Sequence, residues 1–170
     1  MDTTTISEFD IVRLRKLIQR ALKLPDGSVL GGWLPENKLS RFITVDVMSS
    51  KEIGQSKRVF NGEKETITTS CLSMVSISCY GSNSVRVAMK LRTILQSSEL
   101  IDAFKAMNAG IVSFSDVRNL TATIPANFEE RGQFDCEISH HHIVEIPLNP
   151  IEQVDVTTNN HLVKQIRGNS

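Results

Sequence analysis

At 170 residues and 18.9 kDa the chain has the size of one domain and is long enough to own a hydrophobic core. Apolar residues make up 40% and charged ones 22%, which argues against wholesale disorder, and aromatics at 5% leave few stacking platforms for single-stranded nucleic acid. Nineteen basic residues balance nineteen acidic ones, so no bulk attraction draws the chain to phosphate or to an anionic membrane. No apolar run reaches the eighteen or so residues of a membrane-spanning helix. The N-terminus, acidic and polar, lacks the basic and apolar regions of a secretory signal. Three cysteines at no metal-like spacing point to a reducing cytoplasm rather than to a disulfide framework.

Taken in order, the first expected element is a helix. Thr5 and Glu8 fit a capping box; Phe9, Val12, Leu17, Ala21 and Leu24 recur near helical spacing; Pro25-Asp26-Gly27 is the stop. Its other face bears Arg13, Arg15, Lys16, Arg20 and Lys23. Residues 25–41, with Gly31-Gly32 beside Trp33, read as a loop, and Arg41–Met48 as a strand. The polar stretch 49–66 reads as a charged loop, with Asn61-Gly62 as a hairpin signal after Lys57–Phe60. Thr66–Tyr80 is the clearest strand: Ile67, Cys71, Val75, Ile77 and Cys79 share one parity, and Thr68, Ser70, Ser76 and Ser78 the other.

Gly81 ends that strand, and Ser82 or Asn83 is expected to cap a helix running to about Gln96. A short helix, Leu100–Met107, follows and stops at Asn108-Ala109-Gly110. Ile111–Leu120 and Glu129–Ile146 read as strands, the latter with Phe134, Cys136 and Ile138 facing one way and Gln133, Asp135 and Glu137 the other. Residues 1–146 form the expected domain, and 147–170 an extended arm or edge strand. The fold class is α/β in the α+β sense: a mixed, largely antiparallel sheet flanked by two main helices.

Reactive constellations are absent from the sequence. His140 and His142 share a strand face, as two metal-binding imidazoles would, but no third ligand stands at a suitable spacing. Cys71, Cys79 and Cys136 fall on the apolar parity, where cysteine acts as a small hydrophobe. Gly31-Gly32 lacks the lysine and helix start of a phosphate loop. No catalytic, cofactor-binding or metal-ligating residue is assigned, and a binding or structural role is expected over an enzyme. Negative charge is concentrated: residues 129–156 hold seven acids against Arg131 alone, while residues 1–24 carry five bases and three acids. Glu129, Glu130, Arg131, Asp135 and Glu137 stand at the head of that acidic segment. Arg13, Arg15, Lys16 and Arg20 form the complementary basic surface.

Residues 79–138 carry a specific order. Cys-Tyr-Gly-Ser-Asn-Ser at 79–84 leads into a helix with Ala88, Leu91 and Leu95, then Gln96-Ser97-Ser98 and Ala109-Gly110-Ile111. Val117-Arg118-Asn119-Leu120 and Phe128-Glu129-Glu130-Arg131-Gly132-Gln133-Phe134-Asp135 complete it. This order resembles the neck, or tail-terminator, proteins of tailed bacteriophages, with compatible elements over most of residues 5–145. The charged stretch before residue 66 departs from the pattern, and the tail after Pro147 has no counterpart in it. The resemblance implies a virion structural protein, assembled in the host bacterial cytoplasm without cofactor. It would form a ring homo-oligomer, a hexamer, that ends the tail tube and joins it to the head connector or adaptor. In such a ring Glu129, Glu130, Arg131, Asp135 and Glu137 are candidates for the subunit contact or pore lining, with Arg13, Arg15, Lys16 and Arg20 as the basic surface they would meet. DNA would pass through without specific binding, and no membrane would be involved. Two alternatives stay open: another ring-forming head–tail joining or tail-completion protein, and a small enzyme or nucleic-acid-binding accessory domain.

Overall fold

The computed structural model describes residues 3–32, 40–124, 127–148, 153–158 and 161–167. The strands of the body are β1 (Thr4–Ser7), β2 (Val29–Leu30), β3 (Phe42–Glu52), β4 (Lys57–Phe60), β5 (Lys64–Tyr80), β6 (Ala109–Phe114), β7 (Arg118–Asn119), β8 (Ala122–Ile124), β9 (Asn127–Glu129) and β10 (Arg131–Pro147). The helices are α1 (Ile11–Ala21), α2 (Ser84–Ile94) and α3 (Ser98–Lys105), and β11 (Gln153–Thr158) with β12 (His161–Arg167) closes the chain. Eight strands make one mixed sheet, ordered β1-β10-β5-β3-β2, with β4 on β5 and with β6 and β7 on β10. Among the described strands, only β2 and β3 run parallel. β8–β9 and β11–β12 are separate two-stranded ladders.

Alternation on the two long strands sets the layers. β5 and β10 pair without a register break from Tyr80↔Arg131 to Lys64↔Pro147. Val75, Ile77, Cys79, Phe134, Cys136 and Ile138 are buried on one face, under Leu14 and Ile18 of α1, Ala88 and Leu91 of α2, and Leu100 and Phe104 of α3. Each fully buried Val, Leu, Ile or Phe among them contributes roughly 1.5–3 kcal/mol. The fold class and the alternating strand pattern expected from sequence are as observed. All three cysteines are free and buried.

The boundaries differ in instructive places. Thr5 caps no helix: it lies in β1, opposite Val144 of β10. The cap is Asp10, whose Oδ1 accepts from the N–H groups of Val12 and Arg13 at 2.9 and 3.0 Å. α1 also ends before Leu24, at a left-handed Lys23 (φ 52°). The polar stretch 49–66 is not a loop, because β3 runs on to Glu52 and β4 lies within it. Beyond the helices no core covers the sheet, so these strands carry polar residues on both faces. Ile111–Leu120 divides into β6 and β7, and the Trp33 part of the expected 25–41 loop lies outside the described residues.

Gly132 fixes how α2 meets the sheet. A Cβ there would lie 2.7 Å from Val85 Cα and 2.8 Å from the Ser84 carbonyl oxygen, both backbone atoms that cannot swing aside. Gly132→Ala is expected to force α2 off β10 and to cost roughly 1–3 kcal/mol of stability. A lowered urea midpoint with an unchanged slope would record it; an unchanged midpoint would refute the contact.

Candidate assembly site

The basic residues of α1 divide into two groups by helical spacing. Arg13, Lys16 and Arg20 follow one another at i, i+3 and i+7 and are exposed, and none joins an ion pair among the described residues. Arg15 lies about 200° around the helix from Arg13 and does something else. Its Nε and Nη2 both donate to the Val45 carbonyl, at 3.0 and 2.9 Å, and Nη2 also meets Asp46 Oδ1 at 3.3 Å. The short β2 pairs only Ile43 and Thr44 of β3. Val45 is the next residue along that edge, and the guanidinium takes its carbonyl. Gly31 makes the approach possible, since a Cβ there would sit 1.7 Å from Arg15 Nη2. Gly32 N–H donates to the same Asp46 oxygen at 2.7 Å.

The residues of the acidic segment are mostly held within the chain. Glu130 Oε2 accepts from the backbone N–H of Asn83 at 2.7 Å. Asn83 sits at the N-cap of α2 in a left-handed conformation and makes no side-chain cap bond, so Glu130 replaces the local cap expected there. Arg131 lies over the Tyr80 ring at 5.3 Å and donates to Gln133 Oε1 at 2.9 Å and Ser78 Oγ at 3.3 Å. Gln133 donates to Ser76 Oγ at 2.8 Å. Asp135 pairs with Arg118, and its backbone N–H donates to Ser115 Oγ at 2.8 Å. Glu137 accepts from Ser113 Oγ at 2.7 Å. Glu129, at the end of β9, is half-buried.

Arg131 and Asp135 thus join one polar lattice on the sheet face opposite the helices. Thr44, Asp46, Met48, Ser76, Ser78, Tyr80, Arg131 and Gln133 line a shallow concavity of about 580 Å³ there. Glu130 instead bonds the N-terminus of α2, and Glu137 a hydroxyl of β6. No ion pair among the described residues links the acids of 129–137 to α1. Sequence inspection missed Arg118, Tyr80 and the Arg15–Asp46 pair. The one available signal for the lattice was the Ser76/Ser78 parity.

His140 is also engaged. Its Nε2 lies 2.8 Å from Ser73 Oγ, and its ring stacks on Phe9 at 5.2 Å. His141 turns to the opposite face, with Nδ1 3.4 Å from Ser70 Oγ. No group of three or more His, Cys, Asp or Glu suited to a metal ion is present among the described residues. Burial pushes the Cys79 and Cys136 thiols up to about 12, so both stay protonated and poorly nucleophilic at neutral pH.

The sequence profile of the phage neck terminator proteins matches residues 13–164 of the 170. The chain belongs to the phage neck terminator family. The match takes in α1 from Arg13 onward, α2, α3 and both long strands, so it covers most of the folded body rather than one motif. No curated protein matches the chain. Membership makes this neck terminator a structural component of the phage particle, with other neck and tail proteins as its partners. No helix among its described residues is long and apolar enough to cross a membrane.

Two outcomes follow for the neck terminator. Arg15→Met keeps the aliphatic stem but strips the Val45 carbonyl of its partner, and should lower unfolding free energy by roughly 1–2 kcal/mol, discounted for the residue's partial exposure. Chemical denaturation checks it. Burial first, then the neighbouring His141 and His142, lowers the pKa of His140 below its ordinary 6.5. The unfolded chain therefore binds the His140 proton more readily than the native one. That stability contribution is complete above pH 6.5 and declines as pH falls below it. Denaturation at pH 7.5 and 5.5 should show a smaller acid loss for His140→Gln than for the parent; equal losses would refute the assignment.

Proposed function

We propose that this neck terminator assembles into a ring, a hexamer, at the tail–neck junction of a tailed bacteriophage. There it ends the tail tube and joins it to the head connector or adaptor. It works by assembly alone, with no cofactor and no turnover chemistry, and is built in the host cytoplasm. The observation that carries the proposal is the family match over residues 13–164, joined to a chain whose formal charge sums to zero. A balanced ring lets DNA pass without the phosphate neutralisation that makes basic surfaces bind it.

Arg13, Lys16 and Arg20 are proposed as part of the subunit contact, because they are exposed cations with no ion-pair partner among the described residues. Of the acidic segment, Glu129 is the proposed contact or pore residue. Glu130, Arg131, Asp135 and Glu137 contribute by holding α2, the sheet lattice and β6 in shape. A charge reversal aimed at assembly should therefore spare Glu130.

Light scattering at rising concentration, alone and with tube protein, should reveal a ring-sized species that electron microscopy locates at the neck of labelled virions. Arg13→Glu with Arg20→Glu should weaken that species most at low salt, where screening is least. A chain that stays monomeric in both conditions would overturn the ring. A labelled ring found elsewhere between head and tail would favour a different joining protein.

A further inference from the structure

Asn61 and Gly62 lie in the turn from β4 to β5, where residues 61–64 are all exposed. No other asparagine in the chain precedes a glycine. That pair has a chemistry of its own. With no side chain on the following residue, its main-chain nitrogen can attack the asparagine side-chain amide and close a cyclic imide. The turn arranges each group that the step needs. Asn61 Oδ1 accepts from the backbone N–H groups of Glu63 and Lys64, at 3.1 and 2.7 Å. Two such donors polarise the side-chain carbonyl, and they stand at the distance at which an oxyanion hole holds developing negative charge. The attacking group, the Gly62 N–H, and the leaving group, Asn61 Nδ2, donate to no acceptor among the described residues. Gly62 is left-handed at φ 94°, and a Cβ there would meet nothing within 4 Å, so water has free access to the turn.

We propose that Asn61 is a site of spontaneous deamidation and that the native turn promotes it. The Gly62 nitrogen bonds to Asn61 Cγ and gives its proton to a solvent base, while the carbonyl electron pair moves onto Oδ1 beneath the two N–H donors. The tetrahedral centre then collapses. The Cγ–Nδ2 bond breaks, and Nδ2 takes a proton from water and departs as ammonia. Water opens the imide: cleavage at Cγ leaves aspartate, and cleavage at the main-chain carbonyl carbon of residue 61 leaves isoaspartate. Nothing is oxidised or reduced. Both products place a new negative charge next to Glu63. The aspartate form keeps the two N–H bonds and strengthens them through that charge. The isoaspartate form routes the main chain through the former side chain and forfeits them. It thereby disturbs the Glu63 carbonyl, which accepts the Leu148 N–H at 2.8 Å just after β10 ends.

The test uses the full chain, native and unfolded in guanidinium chloride, incubated at one mildly alkaline pH. Peptide mapping by mass spectrometry follows residue 61 in both. Conversion of Asn61 is expected to run roughly tenfold faster in the native chain, because only there are the two donors held on Oδ1. Lys64→Pro removes the nearer donor and should slow the native chain to the unfolded rate. Circular dichroism checks that this variant folds; where it does not, the parent's native and unfolded rates decide alone. A native rate equal to or below the unfolded one would overturn the proposal. So would conversion confined to other asparagines, or a folded Lys64→Pro chain that converts as fast as the parent.

Discussion

The fold depends on the antiparallel pairing of β5 with β10. The pair runs seventeen residues on each strand without a register break, a ribbon of roughly 55 Å. Every other strand of the main sheet hangs on one of these two directly, or in the case of β2 through β3. The helices, at most eleven residues and so about 16 Å long, cover only part of it. One half of the ribbon is therefore core and the other a two-faced projection. The projection's outer residues, such as Phe60 at 62% exposed, keep apolar surface in solvent.

The second constraint is the polar face of the core half. A sheet with helices on one side only must satisfy the groups on its other side, and here small hydroxyls lie beneath longer side chains. Thr44, Ser76 and Ser78 are buried although they are on the uncovered face, because Arg131, Gln133 and Tyr80 lie across them. Arg15 acts at the edge in the same manner, crossing from the helix side over Gly31 to the β3 carbonyl. Charge that is concentrated in sequence is thus dispersed in space. The acids of 129–137 meet Arg118, the α2 amide and a β6 hydroxyl, so most of the apparent patch is internal fastening. Arg13, Lys16 and Arg20 of α1 have no such partners among the described residues, which is why the contact is sought on that helix.

Much of this was legible, and the exceptions have physical causes. Period-two alternation in 67–79 and 133–138 identified the core faces, because burial under helices imposes it directly. Asn61-Gly62 marked its turn because the turn chemistry is local, the Asn61 side chain accepting from Glu63 and Lys64 N–H. What failed was non-local. Thr5 and Glu8 satisfy a capping pattern, yet pairing with β10 takes Thr5 for a strand and leaves the cap to Asp10. Ser49–Glu52 looked like loop because polarity reports exposure, and a strand beyond the helices is exposed on both faces. The site residues divided likewise. The sequence reading put Arg13, Arg15, Lys16 and Arg20 on one helix face, whereas the roles of Arg15 and Glu130 depend on partners 30 and 47 positions away.

The sheet edges constrain how copies can join. An unpaired strand edge is a ready template for another chain, and a ring built by continuing the sheet would need two such edges left open. On one side β3 carries a register break between Val47 and Ser49, and its Val45 carbonyl is already taken by Arg15. On the other, the β10–β6 ladder breaks between Glu137 and Ile138, and three short strands share that edge instead of one long one. Bulges bend and twist an edge and leave its hydrogen-bonding groups out of line for a flat partner. Both flanks are thus blunted, which protects the free chain from indiscriminate strand addition in a crowded host cell. Assembly at the neck then draws its specificity from side-chain surfaces, where charge and apolar shape discriminate between partners. The α1 stripe is a surface of that kind, and it leaves the β5–β10 ribbon intact whether or not a neighbour is present.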